Sequence, residues 1–257
     1  MPTALITGAS SGIGATFARH LAARGHNLIL VARREERLRA LAAELEQQHR
    51  ITAEVLVADL SIPDGLERVE KRIAELDSLD MLINNAGFGA PDKFAEIDVR
   101  KALAMIQVHV IASVRLTRAA LPGMIARGRG AIINVSSLAA FFPMPGNTTY
   151  CATKAYLNAF SLALQTELRG TGVQVQALCP SFTYTEFHDS PEYQDFDRSQ
   201  IPKPFWMSAE QVVTASLNAL GKGRVICVPG INNRLLALLA RSGLASLLLK
   251  ILARLRK

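Results

Sequence analysis

Tyr150 and Lys154 stand four residues apart, and Ser137 lies thirteen residues before the tyrosine. On a helix this spacing puts the tyrosine and the lysine on one face. The pairing has a chemical use. A tyrosine hydroxyl ionises near pH ~10 and is a poor base at neutral pH. A lysine charge beside it favours the tyrosinate and lowers that pKa. A shift of ~2 units raises the ionised fraction at pH 7 from about a thousandth to about a tenth. Tyr150 would then exchange a proton with a substrate oxygen that Ser137 holds by a hydrogen bond. These residue types point to acid–base chemistry on a carbonyl or an alcohol.

A second feature opens the chain. Thr7-Gly8-Ala9-Ser10-Ser11-Gly12-Ile13-Gly14 follows the apolar run Ala4-Leu5-Ile6 and leads into a stretch with Ile13, Phe17 and Leu21 on one face. That is strand, glycine turn, helix. Backbone approaches an anion closely where no side chain intervenes, and the helix N-terminus points free N–H groups at it. The layout suits a nucleotide pyrophosphate.

The surrounding elements repeat this alternation. Strands are expected near 4–7, 27–31, 53–57, 81–84, 131–135, 173–178 and 225–228, and helices near 13–24, 35–50, 63–76, 99–126, 150–169 and 209–220. Apolar strands separated by amphipathic helices imply a parallel sheet covered on both faces. The expected fold is α/β, a doubly wound Rossmann fold with a seven-stranded parallel sheet. Residues 1–230 form the nucleotide-binding domain and 231–257 a basic amphipathic C-terminal extension. Ligands of such sheets lie beyond the carboxyl ends of the strands.

Those strand ends carry informative residues. The second ends Val31-Ala32-Arg33-Arg34. A site for NAD usually places a carboxylate here, whereas guanidinium groups match the 2′-phosphate of NADP. The bland alternative is a solvated start to the next helix. Asp59, at the third strand end, would bind an adenine amino group, or it or Ser61 would cap the helix beginning at Pro63. At the fourth end, Asn84-Asn85-Ala86-Gly87 leaves room for a ribose, while its amides suit ties between strands.

Together these segments resemble the short-chain dehydrogenase/reductase family over roughly residues 3–230. Thr7–Gly14 is similar to its TGxxxGxG turn, Asn84–Gly87 to its NNAG segment, and Ser137…Tyr150-x-x-x-Lys154 to its catalytic signature. The resemblance implies Tyr150 as general acid/base, Lys154 holding the nicotinamide ribose and lowering the tyrosine pKa, and Ser137 orienting the substrate oxygen. It implies a dinucleotide site of Gly8, Ser10, Ser11, Gly12, Ile13, Gly14, Arg33, Arg34, Asp59, Leu60, Asn85, Ala86 and Gly87, completed by Tyr150 and Lys154. Cys179–Thr185 resembles the PGxxxT turn against the nicotinamide, which brings in Pro180, Thr183 and Thr185. Two positions depart from the pattern. His109 stands where the family places a proton-path asparagine; it would act in that relay or be a core residue. Ser181 replaces a glycine and is strained if its φ is positive.

Seven of the chain's aromatic residues, Phe182, Tyr184, Phe187, Tyr193, Phe196, Phe205 and Trp206, crowd between the sixth strand and the last helix of the domain. They read either as a lid over a large apolar substrate of steroid, retinoid or 3-oxoacyl type, or as anchors of the loop to the core. The expected activity is NADP(H)-dependent hydride transfer between the nicotinamide and a carbonyl/alcohol pair. A non-enzymatic dinucleotide-binding redox sensor is the alternative. A sugar-nucleotide epimerase would need a longer substrate domain.

The net charge of +7 arises at the C-terminus. No acidic residue follows Glu210, while eight basic residues do, leaving 21 basic against 22 acidic residues up to and including Glu210. This argues against a nucleic-acid partner. Residues 232–257 read as two short amphipathic helices broken at Ser242-Gly243. In the second, Leu244, Leu247, Leu248, Ile251, Leu252 and Leu255 share a face flanked by Lys250, Arg254 and Lys257. An anionic membrane surface or a second subunit would cover such a face. Cys151, Cys179 and Cys227 have neither metal-ligand nor disulfide-framework spacing. With no signal peptide at Met1-Pro2-Thr3, a cytoplasmic location with peripheral membrane association is expected, as is a homo-oligomer.

Overall fold

The computed structural model describes residues 1–194 and 196–241. Its main sheet contains β1 (Thr3–Thr7), β2 (Asn27–Ala32), β3 (Ala53–Val57), β4 (Met81–Asn84), β5 (Gly130–Val135) and β6 (Val173–Leu178). A two-stranded ribbon follows, β7 (Thr183–Tyr184) with β8 (Met207–Ser208), and β9 (Ile226–Cys227) closes the main sheet. All seven main strands are parallel, in the order β3-β2-β1-β4-β5-β6-β9. The strand expected at 225–228 pairs only through Ile226 and Cys227.

Successive side chains of a strand face opposite sides, and both sides are apolar here. Ala4 and Ile6 of β1 pack with Leu28 and Leu30 of β2, under α1 (Gly12–Ala22), α2 (Glu35–Gln48) and α7 (Ala209–Leu220). Leu5, Ile29 and Val31 face the other way, toward α3 (Pro63–Ala74) and α5 (Ala112–Ala126). The last two long elements of the domain are α4 (Val99–Ile106) and α6 (Thr148–Glu167). The strand order turns back between β1 and β4, so a crevice opens beyond their carboxyl ends.

Two local outcomes differ from expectation, and a third expectation falls partly outside the described residues. The helix expected over 99–126 is broken by one π turn, Gln107–Ile111, which contains His109. Neither Asp59 nor Ser61 caps α3: its N-cap is Ile62, with no side-chain bond, and Pro63 supplies a preset first turn. The Asp59 carboxylate instead accepts from Ser61 N at 2.9 Å and Ser61 Oγ at 2.7 Å. The helix expected after 231 is α8 (Ile231–Arg241), whereas the second amphipathic helix, beyond Ser242, lies outside the described residues. Among the described residues no helix is long and apolar enough to cross a membrane.

A polar tie crosses the sheet below the crevice. Asn84 Nδ2 donates to Asn134 Oδ1 at 2.8 Å, and Asn134 Nδ2 donates to Ser161 Oγ at 3.0 Å, with all three residues buried. It fastens β4 to β5 and β5 to α6, which carries the tyrosine–lysine pair. Asn134→Ala strips the Asn84 amide of its shortest bond. It is expected to lower the unfolding free energy by about 1–3 kcal/mol, the cost of an unmade buried hydrogen bond, read as a shift of the urea midpoint.

Candidate active site

The crevice is shaped by contacts too close for side chains. A Cβ on Gly14 would stand 2.3 Å from Gly8 O and 2.5 Å from Asn85 Nδ2. Gly12 has φ +55° and packs on Thr185, whose Cγ2 would be 3.1 Å from an added Cβ. Asn85 Nδ2 donates to Thr7 O at 2.9 Å, and Asn85 N and Ala86 N donate to Thr7 Oγ1 at 2.9 and 3.0 Å. Asn85 therefore acts in this fold as a tie between the β4 end and the glycine turn. The α1 N-cap, Ser11, makes no capping bond, and no acidic residue sits in the first turn. Bare backbone at a helix N-terminus, unopposed by a carboxylate, fits a pyrophosphate.

The β2 end supplies the cations. Arg33 is largely exposed, with Nη1 3.8 Å from Asp59 Oδ2. Burial raises the Asp59 carboxyl, but the Ser61 bonds and Arg33 outweigh it and hold the group below its ordinary value. Arg34 crosses to the glycine turn: it donates to Ser10 Oγ from Nε at 3.1 Å and to Ser11 Oγ from Nη2 at 2.7 Å. Leu60 is brought to the same edge, but its side chain packs in the core. Ser181 is not strained, since among the described residues positive φ occurs at glycines alone. Pro180 O accepts from Leu138 N at 2.8 Å, Thr183 is buried, and Thr185 lies against Gly12.

Ser137, Tyr150 and Lys154 come together at the β5 end. The Ser137 hydroxyl accepts from Ala139 N at 3.1 Å and lies near enough to the Tyr150 hydroxyl to oppose the effect of its burial. Lys154 Nζ donates to Val135 O at 2.8 Å and lies 5.6 Å from the Tyr150 ring centroid. The electrostatics correct the expected lowering of the tyrosine pKa. Burial pushes the Tyr150 hydroxyl up to about 12, with Ser137 opposing, and burial pushes the Lys154 amine down to about 7. For each group desolvation is the largest cause, and the lysine's hydrogen bond goes to the strand carbonyl.

His109 reaches this cluster from the π turn, its ring edge-on to Tyr150 with centroids 5.8 Å apart. Thr153 Oγ1 donates its one proton to Tyr150 O at 2.8 Å. His109 Nδ1, 2.9 Å from Thr153 Oγ1, is then the donor to that hydroxyl, and Nε2 accepts from Phe88 N at 3.1 Å. Burial, then the Lys154 charge, hold its pKa well below the usual histidine value, so the ring is neutral. Both nitrogens are engaged within the protein, and a relay through the ring requires one of these bonds to open. Gly87 makes room for it: an added Cβ there would lie 2.8 Å from Nε2.

The aromatic segment packs largely on itself. His188 sits within it, with ring contacts to Phe182, Phe187, Tyr193, Phe196 and Trp206. Burial lowers its pKa to about 4. Phe187 joins the cluster to the site, 6.1 Å from the Tyr150 ring. Residues absent from the sequence reading complete the picture: Phe88 and Thr153 hold His109, Asn134 and Ser161 hold the sheet, and Glu186 pairs with Arg34 at 2.9 Å. Their partners lie far along the chain, and no local pattern signals them.

Comparison with known proteins agrees with this architecture. Residues 2–194 match the family model described as short chain dehydrogenase. A very-long-chain 3-oxoacyl-CoA reductase from Danio rerio is 34% identical over 222 residues, 85% of this chain and 66% of that one, just under two thirds of its length. A short-chain dehydrogenase from Sphingobium yanoikuyae, solved in complex with NADPH, is 38% identical, with a TM-score of 0.84 and 96% of each chain covered. The bulky-bulky ketone specific alcohol dehydrogenase of Comamonas testosteroni is 35% identical, with a TM-score of 0.80 over 96% of this chain and 94% of that one. A parallel sheet with a glycine turn on its first strand, Ser137, Tyr150 and Lys154 gathered at its fifth, and a family match over most of the chain make this an oxidoreductase of the short-chain dehydrogenase family.

Proposed function

We propose that the protein is an NADP(H)-dependent reductase of an apolar carbonyl compound, with the corresponding alcohol as product. The observation that carries the reading is the cluster of Ser137, Tyr150 and Lys154 beside a nucleotide crevice whose β2 end bears two arginines and no carboxylate. The nicotinamide supplies the hydride. The chain supplies the rest. The Ser137 hydroxyl donates to the substrate oxygen and fixes its position. Tyr150 delivers the proton to that oxygen as negative charge grows on it. A hydroxyl with a pKa of about 12 is fully protonated at neutral pH and so carries the proton that reduction needs, while burial makes it a weaker acid than a free tyrosine. Lys154, with a pKa of about 7, is poised to return a proton toward the tyrosine side of the site. His109 is a positioning residue in this reading: its two bonds hold the Phe88 backbone and Thr153 around the Tyr150 ring.

Substrate class rests on the lining. Phe187 and the lid behind it are aromatic, and among the described residues no carboxylate or cationic clamp faces Tyr150 from the lid. A 3-oxoacyl chain, a steroid or another bulky ketone has the required apolar body. The relatives named for 3-oxoacyl-CoA and bulky ketones support the same class.

Tyr150→Phe keeps the ring and removes the proton donor. Turnover of a bulky ketone with NADPH is expected to fall by a factor of about 10² or more, with NADPH binding retained. Undiminished turnover overturns the assignment. For cofactor choice, Arg33→Ala is expected to weaken NADPH binding by roughly 1–3 kcal/mol and to leave NADH nearly unchanged. Equal affinity of the unaltered protein for both cofactors counts against the NADP reading.

The C-terminal extension supports peripheral attachment to an anionic membrane surface from the cytoplasmic side. Ile231, Leu235 and Leu238 of α8 are exposed on one stripe, and the basic excess lies in the same part of the chain. Basic residues near such a surface contribute about 1 kcal/mol each and are screened by salt. The full chain is expected to co-sediment with phosphatidylserine vesicles, less so at high salt, and a chain lacking 231–257 to stay in the supernatant. If truncation instead splits a homo-oligomer on a sizing column while vesicles are ignored, the extension is a subunit contact.

A further inference from the structure

The root of the lid is fastened to the nucleotide crevice by charge. Glu186 follows Thr185, the residue packed on Gly12. Its Oε2 accepts from Arg34 Nη1 at 2.9 Å, and both its oxygens accept from Arg37 Nη1, at 2.5 and 2.7 Å. The same Arg34 guanidinium donates through Nε and Nη2 to Ser10 and Ser11 of the glycine turn. One guanidinium thus spans three elements: the glycine turn, the β2 end and the lid. Two arginines face one carboxylate, so the cluster keeps a net positive charge. All three charged side chains are about half exposed, so the pairing is of the weak, solvent-screened kind that a stronger anion displaces. Arg33 stands beside the cluster with one long contact, to Asp59.

We infer that Glu186 is a specificity-determining residue whose carboxylate competes with the 2′-phosphate of the cofactor for Arg34, so that phosphate binding releases the root of the lid. The inference rests on the reading of Arg33 and Arg34 as the 2′-phosphate pair. A phosphate offers three acceptor oxygens and up to two charges where the carboxylate offers two oxygens and one charge. Arg33 gives it a first contact, and Arg34 then exchanges Glu186 for it. A cofactor without the 2′-phosphate leaves the Glu186 contacts in place. Selectivity for NADP(H) is set as much by what the lid gives up as by what the arginines gain, and the anion that selects the cofactor also loosens the segment above the substrate.

The test separates the phosphate from nicotinamide chemistry by using two probes on the full chain, adenosine 2′,5′-bisphosphate and adenosine 5′-monophosphate. Glu186→Gln removes the competing charge while keeping size. Calorimetry is expected to show the bisphosphate bound about two- to five-fold more tightly by the variant, the scale of exposed ion pairs, and the monophosphate bound equally by both proteins. Limited trypsin digestion reads the lid through cleavage after Arg198. In the unaltered protein the bisphosphate, and not the monophosphate, is expected to speed that cleavage; in the variant it is fast with or without either. If the unaltered protein prefers the bisphosphate and the variant shows no gain, or if cleavage ignores the bisphosphate, this inference is overturned alone. If the unaltered protein binds the two probes alike, the NADP reading falls and takes the inference with it.

Discussion

The contact between the glycine turn and the end of β4 is the constraint on which the site depends. Gly8 and Gly14 lie so near Asn85 and one another that a single methyl group would collide with backbone or amide atoms. The closeness gives Thr7 and Asn85 their mutual hydrogen bonds. Those bonds in turn fix how far the β4 end stands from the N-terminus of α1. The crevice has its width because nothing but backbone fits there. Gly87, three residues beyond β4, extends the same logic to His109, whose Nε2 occupies the space a side chain would take. From the glycine turn to the tyrosine, missing Cβ atoms set positions as much as present side chains do.

Burial sets a second, opposing demand. Tyr150 and Lys154 share the dry end of the crevice, and desolvation drives each toward its neutral form. A pair that both ionised there would have to repay two desolvation costs with one attraction across more than a hydrogen-bond length. The amine instead donates to a strand carbonyl, and the phenol stays protonated. The neutral phenol carries a proton at neutral pH, and its burial makes that proton harder to release than in a free tyrosine.

Sequence and structure agree where the pattern is local. The glycine turn, the strand alternation and the Tyr150-x-x-x-Lys154 spacing are each contained in fewer than twenty consecutive residues, and each fixes its own geometry through backbone rules. Helix α7 and strands β3, β4 and β6 fall where periodicity puts them. What could not be read is long-range or energetic. Nothing near Asn134 announces that Asn84 and Ser161 are its partners. The π turn at Gln107–Ile111 leaves no mark in hydrophobic spacing because the helix continues on both sides of it. The sign of the Tyr150 shift depends on burial against a charge contact, and spacing reports only that the two residues share a face.

The lid shows how these scales combine. Its rings pack on one another around His188, and Phe187 brings it against the Tyr150 ring. Tyr193 fills the space above Gly89, where an added Cβ would lie on its hydroxyl. The segment has an internal aromatic cluster and a ribbon of two strands, β7 with β8, at its base. Charged contacts also sit at that base. Those are the Arg34 and Arg37 pairs to Glu186, on the side of the nucleotide. An aromatic surface suited to an apolar substrate is thereby governed from the charged end of the crevice, because a preformed cluster transmits a displacement at its root without having to repack.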